Sequence, residues 1–267
     1  MKDELLFARR TCIIEFYKIV IGKAPKEEEL DYYINCGDPL DLVFLNIKTT
    51  NYDEHLNKKL PISLVIFTKD SESYIENVIK SVNDYVFETV IIDTGSSDNT
   101  VKVCQGYTDR IYKVGFSDFG NIRTMSAHLA RQPWVLGLDS DEIVSNPEGL
   151  KELVFNDAVD AWGIPRRRWA DLEMKNQVEL DAYPDTQWRL FRNNTDFKYI
   201  GRVHESFEGC KKKKVVENGL HIEHFQDVYK SGEKLEERNA WYKELHKKDL
   251  EEGRNMSISA VSKIDEV

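Results

Sequence analysis

From Pro61 onwards, short apolar runs alternate with amphipathic segments. The runs are rich in β-branched residues, which is typical of buried strands, and they lie at residues 62–67, 89–92, 111–114 and 134–138. The segments between them carry apolar residues at helical spacing, which predicts helices over residues 74–82, 99–107 and 122–130. Strands that alternate with helices are typical of βαβ units, so this region predicts an α/β fold with a mostly parallel sheet.

The first 58 residues lack this alternation. Apolar residues between Leu5 and Val20 recur at helical spacing, and Gly22 with Pro25 ends that run. Two shorter helices are expected over residues 27–34 and 40–47. This region carries no catalytic motif, and it predicts a small helical module.

Beyond Asn146 the alternation becomes looser. Residues 161–165 and 186–192 predict strands with arginine-rich flanks, and residues 226–252 predict a highly charged helix. We therefore expect three parts along the chain: a helical module over 1–58, an α/β domain over 59–226, and a C-terminal helix and tail over 227–267.

Composition narrows the class of protein. Hydrophobic residues make up 41% of the 267 residues, which suits a packed core, and the net charge of −10 argues against non-specific binding to nucleic acid or anionic membrane. The four cysteines are scattered without a CxxC pair, which favours free thiols in a reducing compartment. No apolar run approaches the roughly 20 residues of a membrane span, and the N-terminus does not resemble a signal peptide. A soluble, cytoplasmic protein is expected.

Carboxylates follow the strand at 134–138 directly. Asp139, Asp141 and Glu142 stand at its end, where isolated carboxylates would be costly to desolvate. Such a cluster indicates a divalent cation with hard oxygen ligands and a phosphate on its far side. Polar residues also follow the strands at 62–67 and 89–92, and the carboxyl ends of parallel strands meet at one edge of a sheet. The sequence therefore predicts a nucleotide diphosphate site at this edge.

Several motifs together resemble the family 2 glycosyltransferases of the GT-A fold, over roughly residues 61 to 226. The subset most similar in appearance contains bacterial core-sugar transferases and peptide S-glycosyltransferases. The motifs stand in the family's order: a D-x-[GS]-S-x-D-x-T turn at Asp93–Thr100, a segment Gly120–Arg123 followed by a helix and Trp134, DxD at Asp139–Asp141, RLFR at Arg189–Arg192, VHE at Val203–Glu205, and a late histidine at His224.

This resemblance implies a metal-dependent transferase with a Rossmann-like, nucleotide-sugar-binding sheet. It implies a UDP-sugar donor, transfer of one hexose or N-acetylhexosamine with inversion, and Mn²⁺ or Mg²⁺ as the metal. The chain departs from the family at Thr68–Glu72, where many relatives carry an Asn-Glu pair. It also lacks the Gln-x-x-Arg-Trp motif and the membrane helices of processive synthases, so a single transfer is expected. The acceptor stays open between a glycan, a lipid-linked sugar, a peptide and a modified nucleobase.

The resemblance also assigns the metal ligands. Asp141 is expected to contact the metal directly, whereas Asp139 reaches it through water or binds the donor ribose. Neutral imidazole is a good ligand for manganese-like cations, and His224 matches the late histidine of the family. His221, three residues earlier, is the weaker candidate, as is Glu142 among the acids.

The donor would be bound by residues at the ends of three strands. Asp93 is placed to accept a hydrogen bond from a pyrimidine N–H, and Thr68 with Asp70 would line the nucleoside pocket. Arg123 could contact the diphosphate through a charge-assisted fork. Ser140, within the DxD motif, joins this nucleotide-sugar set. Asp98 is expected to cap the helix that follows it.

An inverting transfer needs a carboxylate base, and two candidates compete. Glu205 occupies the place of the family's catalytic acid, and Asp185 precedes the RLFR strand but could otherwise be a turn residue beside Pro184. Further side chains could hold phosphate, acceptor or sugar, or belong to the core: Arg189, Arg192, Arg202, Trp162, Trp169, Tyr183 and Trp188.

Two other functions fit parts of the pattern. A sugar-1-phosphate nucleotidyltransferase would share the sheet and the acids but needs a G-x-G-x-R loop after the first strand, and Thr68–Glu72 is unlike it. A catalytically silent module that binds glycan or nucleotide is disfavoured by the intact set Asp139, Asp141 and Glu205.

Overall fold

A computed structural model of the chain describes residues 2–21, 24–35, 40, 43, 59–178, 180–193, 196–203, 205–229 and 233–253. The chain divides into two compact units, Met1–Lys58 and Lys59–Val267, which are described separately below. None of the helices within the described ranges combines the length and apolar character needed to cross a membrane.

The first unit is helical. Helix α1 spans Lys2–Ile21 and helix α2 spans Glu27–Asn35, as the spacing predicts. A small apolar core joins them through Ile13, Tyr17, Leu30, Tyr33 and Val43. The third predicted helix, over residues 40–47, lies almost wholly outside the described residues.

The first half of the second unit has the predicted alternation. Its strands are β1 (Leu60–Thr68), β2 (Val86–Asp93), β3 (Ile111–Lys113) and β4 (Trp134–Asp139). They lie in the order β3-β2-β1-β4 and are all parallel. Burial on both faces explains why β1 and β2 are continuous apolar runs rather than alternating ones.

Helices connect these strands. Helix α3 spans Ile75–Val82, α4 spans Thr100–Cys104 and α5 spans Phe119–His128. In α3 the buried residues Ile75, Val78, Ile79 and Val82 form one face at helical spacing. Helix α4 is shorter than predicted, because the amides of Gly106 and Tyr107 bond carbonyls three residues earlier, at Val103 and Cys104, and so form a tighter turn.

The second half extends the same sheet with mostly antiparallel pairings, in the order β4-β8-β6-β12-β5, with β7 and β11 paired to β6 and a separate β9-β10 hairpin. The predicted C-terminal helix is two helices, with residues 230–232 between them outside the description. These elements are β5 (Glu142–Ser145), α6 (Leu150–Val154), β6 (Ala161–Trp169), β7 (Gln177–Val178), β8 (Asp185–Arg192), β9 (Lys198–Ile200), β10 (Ser206–Glu208), β11 (Lys213–Val215), β12 (His221–His224), α7 (Gln226–Tyr229) and α8 (Glu233–Glu251).

The predicted fold class is confirmed: the unit is α/β with a large, mostly parallel sheet. Register brings the predicted polar residues to one edge, because Thr68 of β1 is opposite Asp93 of β2, and Phe67 is opposite Asp139 of β4. The cysteines Cys12, Cys104 and Cys210 are free thiols, and Cys36 lies outside the described residues.

Gly120 allows helix α5 to approach the segment before β10. Its amide donates to the Gly201 carbonyl at 3.1 Å, and the neighbouring Phe119 amide donates to Arg202 at 3.2 Å. A Cβ atom at Gly120 would lie 2.5 Å from the Gly201 carbonyl oxygen, which is too close for any side chain. A residue without a side chain is therefore required where α5 begins.

We expect Gly120→Ala to lower the free energy of unfolding by about 1–3 kcal/mol, because the added methyl group forces two backbone segments apart. Urea denaturation measures this loss. Gly137→Ala is the matched control: a Cβ atom at Gly137, in β4, has nothing within 4 Å, so its effect should stay below about 1 kcal/mol. Equal losses in the two variants would contradict the close approach.

Candidate functional site

Seven charged side chains form a continuous series of ion pairs across the carboxyl edge of the sheet. Carboxylates and guanidinium groups alternate, so that each interior member contacts two groups of opposite charge. We call this series the charge chain; its members, in order, are Glu205, Arg123, Asp139, Arg189, Glu142, Arg166 and Asp185.

Arg123 joins the first two acids of the charge chain. Its Nε donates to Glu205 at 3.0 Å, and its NH2 group lies 2.6 Å from Asp139 Oδ1. The guanidinium carbon lies 4.8 Å from the centre of the Phe67 ring, a cation–π contact. Arg123 stands on α5, whose first turn is capped by the Asp118 side chain accepting from the Asn121 amide.

Asp139 lies between two arginines. Arg123 contacts one of its oxygens, and the NH2 group of Arg189 lies 2.7 Å from the other. Burial by itself would raise the pKa of this carboxyl, but attraction to Arg123 and Arg189 outweighs burial and lowers the pKa to about 2. Asp139 is therefore held ionised by protein cations rather than standing alone.

Glu142 is the most enclosed acid of the charge chain, with no exposed side-chain surface. It accepts from the Asp139 amide at 3.0 Å, from Arg189 at 2.9 Å and from Arg166 at 3.1 Å. Its oxygens are thus bonded to protein donors, and it holds the buried Arg189 and the part-buried Arg166 in place.

The arginines of β6 are contributors that the sequence analysis did not identify. Arg166 bonds Glu142 and Asp185, Arg167 bonds Glu223, and Arg168 bonds Asp227. Three consecutive arginines at the end of a predicted strand were the available signal. Their partners come from β5, β8, β12 and α7, which no local pattern pairs with them.

Asp141 and His224 lie side by side. His224 Nε2 is 3.4 Å from Asp141 Oδ1, and their side chains are 4% and 8% exposed. Antiparallel pairing of β12 with β5 sets this contact, since His224 is opposite Glu142 and the Phe225 amide donates to the Asp141 carbonyl at 3.0 Å.

The separation of Asp141 and His224 suits two ligands of one divalent cation, but these two side chains do not complete its coordination. Two ligands of one six-coordinate ion, each at about 2.1 Å, lie about 3 Å apart, which is close to the observed separation. The other ring nitrogen of His224 is buried and has no hydrogen-bond partner within the described residues. No set of three or more His, Cys, Asp or Glu side chains in the described ranges could hold a metal. Asp141 and His224 would therefore need donor atoms from a substrate or water to complete a site.

His221 lies on the other face of β12 from His224. Its Nε2 is 2.9 Å from the Tyr183 hydroxyl and its Nδ1 is 2.9 Å from the Gly219 carbonyl. Residues three apart on a strand face opposite sides, so the pair of histidines cannot act together.

The predicted nucleoside residues surround the ends of β1 and β2. Asp93 is 2% exposed, and its Oδ1 accepts from the Ser96 amide at 3.0 Å. Asp70, at a positive φ of 48°, accepts from the Ser97 amide at 2.7 Å. Thr68 is 2% exposed, and its hydroxyl lacks a hydrogen-bond partner within the described residues. These three side chains come together as one group.

Ser140 connects this group to the metal-ligand candidates. Its hydroxyl lies 3.1 Å from that of Ser71, which also bonds the Tyr74 hydroxyl at 3.2 Å. The Tyr74 ring stacks on Tyr229 of α7 with centroids 4.2 Å apart, a feature that the sequence analysis did not identify. Asp98 accepts from the Thr100 amide at 2.9 Å and so serves the start of α4, as expected.

The two candidate bases lie at opposite ends of the charge chain. Glu205 is 14% exposed and bonds Arg123. Asp185 is 32% exposed and lies 2.5 Å from Arg166 NH2. Asp185 is the first residue of β8, so its alternative interpretation as a turn residue is wrong.

Several side chains considered for substrate contact serve the fold instead. Arg202 bonds Asp249 and Glu252 of the C-terminal segment, and Arg192 bonds Asp157.

The aromatic side chains considered for sugar stacking also have partners. The indole of Trp162 donates to the Leu153 carbonyl, that of Trp169 donates to Glu223, and Trp188 packs against the buried core. Tyr183 is 42% exposed and stacks with His221.

Comparison with known proteins places these observations in a family. The sequence profile described as Glycosyl transferase family 2 matches residues 63–210, more than half of the chain. The lipopolysaccharide core biosynthesis glycosyltransferase LpsC of Rhizobium meliloti is 30% identical over 117 residues, which cover 41% of this chain and 43% of that protein. The SPbeta prophage-derived glycosyltransferase SunS of Bacillus subtilis is 23% identical over 172 residues, which cover 62% of this chain and 39% of that protein. This chain thus spans less than half the length of either relative.

A solved structure has the same fold. Staphylococcus aureus TarS 1-349 in complex with UDP-GlcNAc superposes with a TM-score of 0.50 at 16% sequence identity, covering 66% of this chain and 61% of that one. At this identity the likeness concerns the fold alone.

We expect Glu142→Gln to lower the free energy of unfolding by about 3 kcal/mol, because it removes the negative charge between the buried Arg189 and the part-buried Arg166. Thermal or urea denaturation checks this. The control is Glu208→Gln, where the partner Lys198 lies 3.6 Å away and both side chains are at least 41% exposed, so the loss should stay below about 1 kcal/mol. A small loss at Glu142 would mean that the charge chain does not support the fold.

Proposed function

This chain belongs to glycosyltransferase family 2, and on that premise we propose that it transfers a single sugar from a UDP-sugar donor to an acceptor, with inversion. The observation that carries the proposal is the convergence, at one sheet edge, of the polar residues Thr68, Asp70 and Asp93, the Asp141–His224 pair and the charge chain. Open α/β sheets bind ligands at this edge. The bound nucleotide sugar in the structure of similar fold, TarS, supports the same donor class.

Donor binding would divide between two groups of residues. Asp93, Asp70 and Thr68 would form the nucleoside pocket, in which the unpartnered Thr68 hydroxyl would gain a hydrogen bond. Asp139 and Ser140 would then lie beside the ribose and the diphosphate.

Asp141 and His224 are the residues that would hold Mn²⁺ or Mg²⁺. When bound, such an ion neutralises the negative charge that develops on a departing diphosphate. The chain itself supplies the rest: Arg123 offers a charge-assisted hydrogen bond to phosphate oxygens, and the buried surroundings strengthen it.

Glu205 is proposed as the base that accepts the acceptor's proton, and Asp185 as the second candidate. A single arginine, Arg123, contacts both Glu205 and Asp139, so Glu205 lies near the residues proposed to bind the donor. Asp185 is four ion pairs from Asp139 along the charge chain, whereas Glu205 is two, and Asp185 is the more exposed of the two acids.

The metal assignment predicts a difference between two histidines of one strand. With UDP-sugars and MnCl₂, we expect steady release of UDP, abolished by EDTA and lowered at least 100-fold by Asp141→Ala or His224→Ala. His221→Ala, on the opposite face of β12, should retain UDP release. Coupled UDP detection measures all four proteins. Equal losses for both histidines would contradict the assignment, and tight UDP binding without release would indicate a binding module.

The base assignment predicts unequal effects of two conservative changes. We expect Glu205→Gln to lower the kcat of UDP release by about 100-fold or more while UDP still binds, because general-base catalysis contributes roughly that much. Asp185→Asn should lower it by less than about 10-fold. The reverse order would assign the base to Asp185.

A further inference from the structure

We propose that Arg123 couples donor binding to the freeing of Glu205. Arg123 is shared by Asp139 and Glu205, and the incoming diphosphate takes Arg123 away from Glu205. This inference rests on the proposed function and adds to it the residue that links the donor site to the base.

Geometry makes Arg123 a shared partner. Its Nε bonds Glu205 and its NH2 group contacts Asp139, so one guanidinium bridges the candidate base and the donor-facing acid. The contact with the Phe67 ring and the docking of α5 at Gly120 place this guanidinium between the two acids. Because both acids contact the same group, a rotation of the Arg123 side chain changes the surroundings of both.

Asp139 and Glu205 differ in the cations that they still contact when Arg123 turns away. Asp139 keeps Arg189 at 2.7 Å as a second cation. For Glu205, Arg123 is the cation that it contacts within the described part of the chain. Loss of Arg123 thus leaves Asp139 compensated and Glu205 uncompensated, in a side chain only 14% exposed.

A freed Glu205 is suited to accept a proton. While it accepts a hydrogen bond from Arg123, one of its oxygens is occupied and its negative charge is neutralised. Diphosphate carries more negative charge than a carboxylate and accepts paired hydrogen bonds from a guanidinium, so it competes well for Arg123. The competition would keep the base inactive until a donor is present.

Competition for one arginine has a measurable consequence. If Glu205 and diphosphate exclude each other from Arg123, removing the charge of Glu205 must strengthen donor binding, because linkage is reciprocal. We expect Glu205→Gln to lower the Kd of UDP with MnCl₂ by about 5-fold or more, as calorimetry measures it. Removing the charge of Glu205 also relieves its direct repulsion of the diphosphate, so the lowered Kd must in addition depend on Arg123.

A double-mutant cycle assigns the effect to Arg123. Arg123→Gln should raise the Kd for UDP, and in that background Glu205→Gln should change the Kd by less than about 2-fold. The matched control is Glu88→Gln, which alters an equally buried pair with Arg110, with side chains 12% and 14% exposed, and should leave the Kd unchanged.

A structure of the unaltered protein with UDP and MnCl₂ gives a second test that requires no variant. We expect a phosphate oxygen at Arg123 and the Arg123–Glu205 hydrogen bond broken. An intact bond beside bound diphosphate overturns the inference, as does an unchanged or raised Kd in Glu205→Gln. Absence of UDP binding by the unaltered protein with both Mn²⁺ and Mg²⁺ overturns the proposed function itself, and the inference with it.

Discussion

The carboxyl edge of this sheet depends on the pairing of each buried or part-buried carboxylate of the charge chain with a guanidinium. A carboxylate withdrawn from water without compensation is costly, and four such acids lie along this edge. The alternation of charges from Glu205 to Asp185 meets that constraint, and it holds Asp139 ionised between Arg123 and Arg189.

The topology explains how the cations reach this edge. Parallel strands β1, β2 and β4 carry the polar residues proposed to bind the donor, whereas strands β8 and β6 return beside β4 and supply Arg189 and Arg166. Strand β12 then brings His224 next to Asp141. The parallel half of the sheet thus supplies Asp139 and the residues proposed to bind the nucleoside, and the second half supplies Arg189, Arg166 and His224, which contact acids at this edge.

Local pattern was sufficient for the first half of the site and insufficient for the second. Apolar runs locate β1, β2 and β4, and the rule that parallel strands end at one edge brings Thr68, Asp93 and Asp139 together. The arginine pairings depend on contacts such as Arg189 with Asp139, fifty positions apart, and no periodicity encodes those. Similarly, the roles of Trp162 and Trp169 as core residues depend on partners in α6 and β12. His221 and His224 could be separated only once their segment was known to be a strand.

The proposed roles of Asp141 and His224 require that both side chains bind one divalent cation. Anomalous diffraction at the manganese edge, from crystals soaked in UDP and MnCl₂, locates that cation. We expect one strong peak in contact with both side chains and with the diphosphate. A peak bound elsewhere, or diphosphate density with no manganese beside Asp141, would contradict it.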